Sequence, residues 1–240
     1  MFNIFGFYKF KKLNNLKKLK NRLENNLKDY EIRGTIIISP EGVNGTISDK
    51  KNNLLKFNKI LKKILSIKKF NSENNSNSKF NPFHKLKIKI KKEVVPMGFK
   101  VRNYNFPKNN LNPREWNKII KKKDTVLIDA RKSFEYDVGT FKKSLNPNIE
   151  NFREFPKYLN QFKNSENIAM FCTGGIRCEK ANIYLKKKGF KNVYVLKGGI
   201  INYLNNIDKK NSQWNGECYV FDNRVSDRKS TRLNSSHNQI

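Results

Sequence analysis

The chain is organised around one stretch, which reads Ala169-Met170-Phe171-Cys172-Thr173-Gly174-Gly175-Ile176-Arg177-Cys178-Glu179-Lys180-Ala181. A short apolar run over 168–171 predicts a buried strand, and 179–188 predicts a helix. Cys172 therefore lies on a turn between a strand end and a helix start. The first N–H groups of a helix lack internal partners and its dipole is positive there. We expect this position to lower the pKa of the Cys172 thiol and to make it a nucleophile.

The loop after Cys172 has the composition of an anion cradle. Two of its residues are glycines, and a backbone without Cβ atoms can turn its N–H groups inward. Arg177 adds a fixed positive charge at the rim. We expect Cys178 to be either a resolving thiol or a structural helix residue, and the sequence leaves both open. The predicted cradle consists of Thr173, Gly174, Gly175, Ile176 and Cys178, with the N–H groups of 173–177 facing the anion.

Three motifs in this order resemble the rhodanese superfamily, in which a loop cysteine carries a persulfide sulfur. Four residues separate Cys172 from Arg177, one fewer than in relatives of this fold that hydrolyse phosphate esters. The shorter loop suits a single sulfur and favours sulfur or redox chemistry. The motifs are the Cys172 loop; Val126-Leu127-Ile128-Asp129-Ala130-Arg131 with Glu135-Tyr136 and Gly139-Thr140; and Val193-Tyr194-Val195-Leu196-Lys197-Gly198-Gly199-Ile200.

Composition limits the class of protein. The chain has 240 residues, 37% of them hydrophobic and 30% charged, which is enough for one large domain or two modest ones. Three cysteines do not form a secreted disulfide framework, and a working thiol needs a reducing compartment, so we expect a cytoplasmic protein. No apolar run approaches the ~20 residues of a membrane helix, so we expect no membrane contact.

The net charge of +31 has two interpretations. Many lysines displace counterions from phosphates, which favours an RNA partner. Alternatively, the abundance of Lys, Asn and Ile in every segment reflects an AT-rich genome. A charge of this size favours contact with nucleic acid under either interpretation.

The N-terminal half has the order of a ferredoxin-like βαββαβ domain. Its periodicities predict strands and helices that alternate in that order, followed by a polar loop and a last amphipathic strand. The predicted elements are strand 2–10, helix 13–27, strand 32–39, turn 40–45, strand 46–48, helix 53–65, loop 71–81 and strand 86–95.

The second half predicts a parallel α/β domain. Strands alternate with helices, which implies a parallel sheet with helices on both faces and a site at the carboxyl ends of the strands. The predicted elements are helix 113–121, strand 125–130, loop 131–147, helix 151–162, the strand, loop and helix around Cys172, strand 193–196 and a helix from 200. The predicted domains are 1–97 (ferredoxin-like, RNA-contacting), linker 98–112, 113–208 (rhodanese-like, catalytic), extension 209–226 and a disordered or artefactual tail 227–240.

The chain as a whole resembles the bacterial rhodanese-domain proteins that hydroxylate a wobble-position uridine of tRNA, the tRNA uridine hydroxylases. The resemblance covers about residues 1–226. Besides the loop, it rests on Arg33-Gly34-Thr35, Pro40-Glu41-Gly42-Val43-Asn44-Gly45-Thr46, Phe152-Arg153-Glu154-Phe155-Pro156 and Glu217-Cys218-Tyr219-Val220-Phe221-Asp222-Asn223-Arg224-Val225.

The resemblance implies an oxygen-dependent conversion of the uridine to 5-hydroxyuridine, with tRNA as partner, dioxygen as co-substrate and no bound cofactor. It implies that Cys172 is required, as nucleophile or sulfur carrier, and that Arg177 assists it. Members often continue into a cysteine-containing segment with metal-ligand-like spacing, which is missing here. With His84 and His237 far apart in the sequence, we expect no metal site.

Supporting residues are assigned by position. Asp129 and Arg131 lie at a neighbouring strand end and are expected to brace the loop, with a structural role favoured for Asp129. Glu135 is expected to pair with Arg131 or with a loop N–H. The turn after the second strand is either a plain hairpin or a loop that lets a phosphate or base approach. The candidate RNA contacts are Arg33, Glu41, Asn44 and Gly45.

Two other functions compete with the hydroxylase. A plain sulfurtransferase would need only the second domain, so the basic N-terminal half argues against it. An RNA-binding module with an inert rhodanese fold is disfavoured by the intact Cys172 and Arg177, because inactive relatives typically lose the cysteine.

Overall fold

The computed structural model describes residues 1–102, 104, 109–224 and 226–227. These residues divide into two compact units. The N-terminal unit consists of the described residues of Met1–Pro96, Lys100–Tyr104 and Asp222–Arg224. The C-terminal unit consists of those of Met97–Phe99, Asn105–Phe221 and Val225–Ile240. The tail predicted for 227–240 lies outside the described residues beyond Asp227.

The N-terminal unit is a five-stranded sheet with two helices, in the strand order β4-β1-β3-β2-β5. β5 runs parallel to β2, and the other pairings are antiparallel. The ferredoxin-like prediction is confirmed. The elements are β1 Phe2–Phe10, α1 Leu16–Leu27, β2 Arg33–Ser39, β3 Gly42–Asp49, α2 Lys51–Ile64, β4 Ser72–Ser78 and β5 Leu86–Ile90.

The loop predicted for 71–81 is wrong, because it contains β4. This strand lies at the edge of the sheet and pairs with β1 from Phe2↔Ser78 to Tyr8↔Ser72. Its residues are serines, asparagines and one glutamate, so no apolar alternation marks it. β4 is the fourth strand of the ferredoxin-like order, and the strand predicted over 86–95 is a fifth strand that ends at Ile90.

Both helices of the N-terminal unit pack on one face of its sheet. Leu23 and Leu27 of α1 and Phe57 and Leu61 of α2 join one buried core. Phe7 contributes from β1, with its ring centroid 4.9 Å from that of Phe70. The opposite face of the sheet is therefore free of the unit's helices.

The end of the chain contributes a small piece of the N-terminal unit. The Arg224 guanidinium donates two hydrogen bonds to Asp222, at 2.8 and 2.6 Å, and one to the Ser76 hydroxyl of β4 at 2.9 Å. The Asn223 N–H donates to the Pro82 carbonyl at 3.1 Å. The chain thus leaves this unit, builds most of the other, and returns.

The C-terminal unit contains a parallel sheet in the order β6-β10-β9-β7, which confirms the predicted α/β class. The loop predicted over 131–147 is wrong, since it contains a short helix and strand. The elements are β6 Asn110–Leu111, α3 Pro113–Ile120, β7 Thr125–Asp129, α4 Ser133–Val138, β8 Gly139–Phe141, α5 Phe155–Leu159, β9 Asn167–Phe171, α6 Ile176–Lys187, β10 Asn192–Leu196, α7 Gly199–Asn206, β11 Trp214–Gly216, β12 Cys218–Tyr219 and β13 Ser226–Asp227.

An aromatic cluster forms the core beside the central strand β9. Phe141 lies at its middle, with ring centroids 4.7 to 5.9 Å from those of Phe171, Tyr203, Trp214 and Trp116. All four contacts are edge-to-face, the arrangement that aromatic quadrupoles favour. The cluster holds the end of β9 in place.

Across the part of the chain that the structure describes, no helix combines the length and apolar character needed to cross a membrane.

Candidate active site

Cys172 follows β9 directly and lies at the carboxyl end of the parallel sheet, as predicted. The helix after it, α6, begins at Ile176, three residues before the predicted start at 179. Gly175 caps it with a φ of 98°, a backbone conformation that only glycine adopts without strain. Arg177 and Cys178 therefore belong to the first turn of the helix, and the loop is shorter than the sequence indicates.

The Cys172 sulfur is buried and hydrogen-bonded. The Gly175 N–H donates to its Sγ at 3.2 Å. Burial alone would raise the pKa of Cys172. The Cys178 thiol, the Arg177 charge and the N–H groups of Cys178 and Gly175 outweigh burial and lower this pKa from 9.0 to about 6. At neutral pH the group is a thiolate, the form that acts as a nucleophile.

The Cys178 thiol donates a hydrogen bond to this thiolate. Burial first, and then the negative charge and hydrogen bond of Cys172, raise the pKa of Cys178 well above 9.0. Near neutral pH the pair therefore carries one proton, which is bound to Cys178 and hydrogen-bonded to Cys172. Both are free cysteines.

Arg177 is fixed by Glu135. Its two terminal nitrogens donate to the two carboxylate oxygens at 2.8 and 2.9 Å, and one also donates to the Thr173 hydroxyl at 3.3 Å. Burial alone would raise the pKa of Glu135, but Arg177, then Arg131 and the Lys132 N–H, lower it. The predicted pairing of Glu135 with Arg131 or a loop N–H is therefore wrong, since its ion-pair partner is Arg177 and its N–H donor is Lys132 of the preceding segment.

Asp129 and Arg131 form a second, fully buried ion pair. The Arg131 guanidinium donates to both Asp129 oxygens at 2.8 and 2.6 Å, and to the Gly139 carbonyl at 2.5 Å. Thr140 also donates to Asp129, at 2.9 Å. These bonds tie the end of β7 to β8. This bracing of two strand ends supports a structural role for the pair.

Gly199 is a site residue for which the sequence predicted no role. A Cβ atom there would lie 2.4 Å from the Cys172 carbonyl oxygen and 2.5 Å from that of Thr173. The N–H groups of Ile200 and Ile201, at the start of α7, donate to the same two oxygens at 3.0 and 3.2 Å. The Gly198-Gly199 pair in the last motif was the available signal for this close approach.

The four candidate RNA contacts differ in how far they are exposed. Glu41 is buried and accepts from the Val94 and Val101 N–H groups at 3.0 and 3.1 Å. Gly45 lies against the Phe7 ring in β3. The turn predicted over 40–45 is the plain hairpin of the two alternatives, with the turn itself at Pro40 and Glu41 between the paired residues Ser39 and Gly42. Arg33 is exposed and Asn44 partly exposed, on β2 and β3. Contact with RNA stays a prediction for these residues.

Within the ranges 1–102, 104, 109–224 and 226–227, no three His, Cys, Asp or Glu side chains are grouped to hold a metal.

Comparison with known proteins places this site in a class. Residues 2–94 match the family described as UPF0176 acylphosphatase like domain, and residues 112–206 match the Rhodanese-like domain. The fold and site thus define a rhodanese-domain protein with an acylphosphatase-like domain before it. The chain belongs to the tRNA uridine(34) hydroxylase family.

Relatives with that name align over most of the chain. The protein from Pelagibacter ubique is 64% identical over 226 residues, which cover 94% of this chain and 75% of that one. The protein from Prochlorococcus marinus (strain MIT 9215) is 46% identical, over 87% of this chain and 69% of its own. The protein from Legionella pneumophila (strain Corby) is 41% identical, over 93% and 89%.

Proposed function

We propose that this protein hydroxylates uridine 34 of tRNA to 5-hydroxyuridine, and that the reaction depends on Cys172. One observation supports the dependence on Cys172: its thiol is buried at the end of the central strand, and its pKa is lowered to about 6. The proposed substrate, uridine 34 of tRNA, rests on membership of the family. A relative that is 64% identical over 226 residues carries the name tRNA uridine(34) hydroxylase.

Each site residue has a proposed role. Cys172 is the nucleophile or sulfur carrier. The N–H groups of Gly175 and Cys178 stabilise negative charge on its sulfur. Arg177 holds a positive charge beside the thiolate, and Glu135 positions that charge through its two hydrogen bonds. A thiolate held in this way can carry sulfur or be oxidised without first losing a proton.

Dioxygen is the proposed source of the new hydroxyl oxygen, and tRNA the proposed partner. We propose that the protein needs no bound cofactor and works in the cytoplasm, where tRNA and a reducing environment are both present. Growth under ¹⁸O-labelled dioxygen would add the mass of the heavy isotope to the 5-hydroxyuridine if this source is correct.

The experiment is nucleoside mass spectrometry of tRNA from cells that lack this activity. The cells are complemented with the wild type, with Cys172→Ala or with Cys218→Ala, whose thiol is buried outside the site. We expect 5-hydroxyuridine with the wild type and with Cys218→Ala, and none with Cys172→Ala. Thermal unfolding of each purified protein verifies that all three fold.

A different result would redirect the proposal. If folded wild type leaves the tRNA unchanged, the hydroxylase function is wrong. A thiosulfate:cyanide transfer assay on the same sample would then test the sulfurtransferase, which uses the same Cys172.

A further inference from the structure

The sheet of the N-terminal unit has one face on which its helices do not pack. Ile4, Tyr8 and Phe10 of β1 are buried on that side, so only part of the face is exposed. Phe5 and Phe7 of β1 and Ile36 and Ile38 of β2 point into the core beneath α1 and α2. Because successive side chains of a strand point to opposite faces, the alternate residues of each strand face the other way. We call this second surface the helix-free face.

The strand register places five residues in one row across the helix-free face. Lys87 pairs with Thr35, Thr35 with Thr46, Thr46 with Gly6, and Gly6 with Asn74. A Cβ atom on Gly6 would lie 3.8 Å from the Thr46 hydroxyl and 3.9 Å from the Asn74 Cβ, which places both neighbours on this side. Lys87 is exposed, and the other four residues are partly exposed.

Two further cations lie on this face. In the next row, Lys89 pairs with Ile37, and Ile37 with Asn44. Arg33 is two residues before Thr35 on β2 and so points to the same side. Lys89 and Arg33 are exposed.

The acidic residues of the five strands all point away from this face. The strands contain two carboxylates, Asp49 and Glu73. Asp49 accepts from Asn53 of α2 at 3.0 Å, and Glu73 pairs with Lys62 of α2 at 2.8 Å, so both lie on the helix side. Arg224 reaches Ser76 from the chain end, but its pairing with Asp222 leaves no net charge. The strands therefore give the helix-free face three positive side chains and no negative one.

We infer that the helix-free face binds the sugar-phosphate backbone of RNA, an inference that rests on the proposed function. Arg33, Lys87 and Lys89 would contact phosphates, and the Thr35, Thr46 and Asn74 side chains would hydrogen-bond ribose hydroxyls. Gly6 leaves the middle of the row without a protruding side chain.

The side chains of the helix-free face favour contacts with phosphate and ribose over base stacking. Sheets of this topology often bind RNA by stacking bases on exposed aromatic rings. Here the one aromatic side chain in the two rows, Tyr8, is buried. We therefore assign contacts with phosphate and ribose, which position a tRNA without reading its sequence.

The test compares two charge reversals of equal size. Lys87→Glu/Lys89→Glu alters the helix-free face, and Lys56→Glu/Lys59→Glu alters exposed positions of α2, on the other side of the sheet. Both pairs are made in the Cys172→Ala background, so that binding is measured without turnover. Fluorescence anisotropy with labelled tRNA gives the affinity and its dependence on salt.

We expect the Lys87/Lys89 pair to weaken tRNA binding about tenfold or more. Each lost phosphate contact should reduce the slope of log K against log salt by about 0.7 to 0.9, so this pair should lose about 1.4 to 1.8. The Lys56/Lys59 control should change affinity by less than about threefold. Lys87→Ala/Lys89→Ala serves as a milder pair if charge reversal prevents folding, with the same order of effects expected.

Equal losses in the two pairs would overturn the inference, because they would show an effect of bulk charge alone. Unchanged binding in the Lys87/Lys89 pair, with Cys172-dependent hydroxylation intact in the wild type, would overturn the inference and leave the proposed function standing. If the wild type neither binds nor hydroxylates tRNA, both fail.

Discussion

The two terminal nitrogens of Arg177 donate to the two carboxylate oxygens of Glu135, at 2.8 and 2.9 Å, across 42 positions of sequence. This bidentate geometry fixes the plane of the guanidinium group as well as its position. Glu135 is fully buried and Arg177 is largely so. The pair therefore sets where positive charge stands beside the Cys172 thiolate.

Glu135→Gln should destabilise the protein and displace Arg177. The change keeps the side-chain size but leaves a largely buried cation without its counter-charge. A fully buried pair broken in this way costs about 3 to 5 kcal/mol, and the partial exposure of Arg177 reduces the expected loss to about 2 to 3 kcal/mol. Urea unfolding measures it.

The pH dependence of that loss has a defined sign. The folded-state pKa of Glu135 is lowered below its ordinary 4.5. Its contribution to stability is therefore present above pH 4.5 and disappears as the pH falls through the folded-state pKa. The difference between wild type and Glu135→Gln should shrink in that acidic range. A double variant with Arg177→Met should lose less than the two single changes added together, and additive losses would contradict the coupling.

The Cys172 thiol should titrate near pH 6, where an ordinary thiol titrates near 9.0. The ultraviolet absorbance of the thiolate, taken as the difference between wild type and Cys172→Ala, measures this directly. Between these two pH values the unfolded chain binds the extra proton, so wild-type stability should rise with pH relative to Cys172→Ala. A midpoint near the ordinary value would show that burial outweighs the hydrogen bonds.

Cys178→Ala should raise the pKa of Cys172. The variant removes a thiol that donates to the Cys172 sulfur, while the Cys178 N–H and Arg177 remain. Cys178→Ser keeps a donor at this position and should raise the pKa less. The same absorbance titration separates the two variants, and an unchanged midpoint in Cys178→Ala would exclude the shared proton.

Gly45→Ala should destabilise the N-terminal unit by about 1 to 3 kcal/mol, the usual cost of overpacking a core. A Cβ atom there would lie 2.6 Å from the Phe7 ring. Gly6→Ala is the matched control on the adjacent strand, since its nearest atoms lie at 3.8 Å. It should be neutral, or more stable by about 0.5 to 1 kcal/mol because alanine restricts the unfolded chain. Equal urea midpoints for the two variants would contradict the packing at Phe7.

The position of Cys172 was predictable because its signals are local. An apolar run precedes the cysteine, glycines follow it, and a helix comes next, all within one short stretch. The predicted helix start was three residues late for a physical reason. Gly175 caps α6 through a positive φ, whereas the role predicted for this glycine was in the anion cradle alone. The first five elements of the N-terminal unit, from β1 to α2, were predictable from periodicity in the same way.

Pairings between distant segments were not predictable. β4 is a strand because β1 presents a free edge to it, while its own Ser/Asn composition predicts a loop. Glu135 selects Arg177 over Arg131 because Asp129 already binds Arg131 on both oxygens. Neither the pairing of β4 with β1 nor that of Glu135 with Arg177 can be deduced from a single sequence.

The return of Asp222–Arg224 to the N-terminal unit has a consequence for synthesis. The first 96 residues emerge from the ribosome long before Arg224 is synthesised. The N-terminal unit is therefore completed only near the end of synthesis. Until then, the Ser76 hydroxyl and the Pro82 carbonyl lack the partners that the mature chain provides. A fragment that stops after α7, at the boundary of the rhodanese-like match, would therefore lack part of the domain at the opposite end of the sequence.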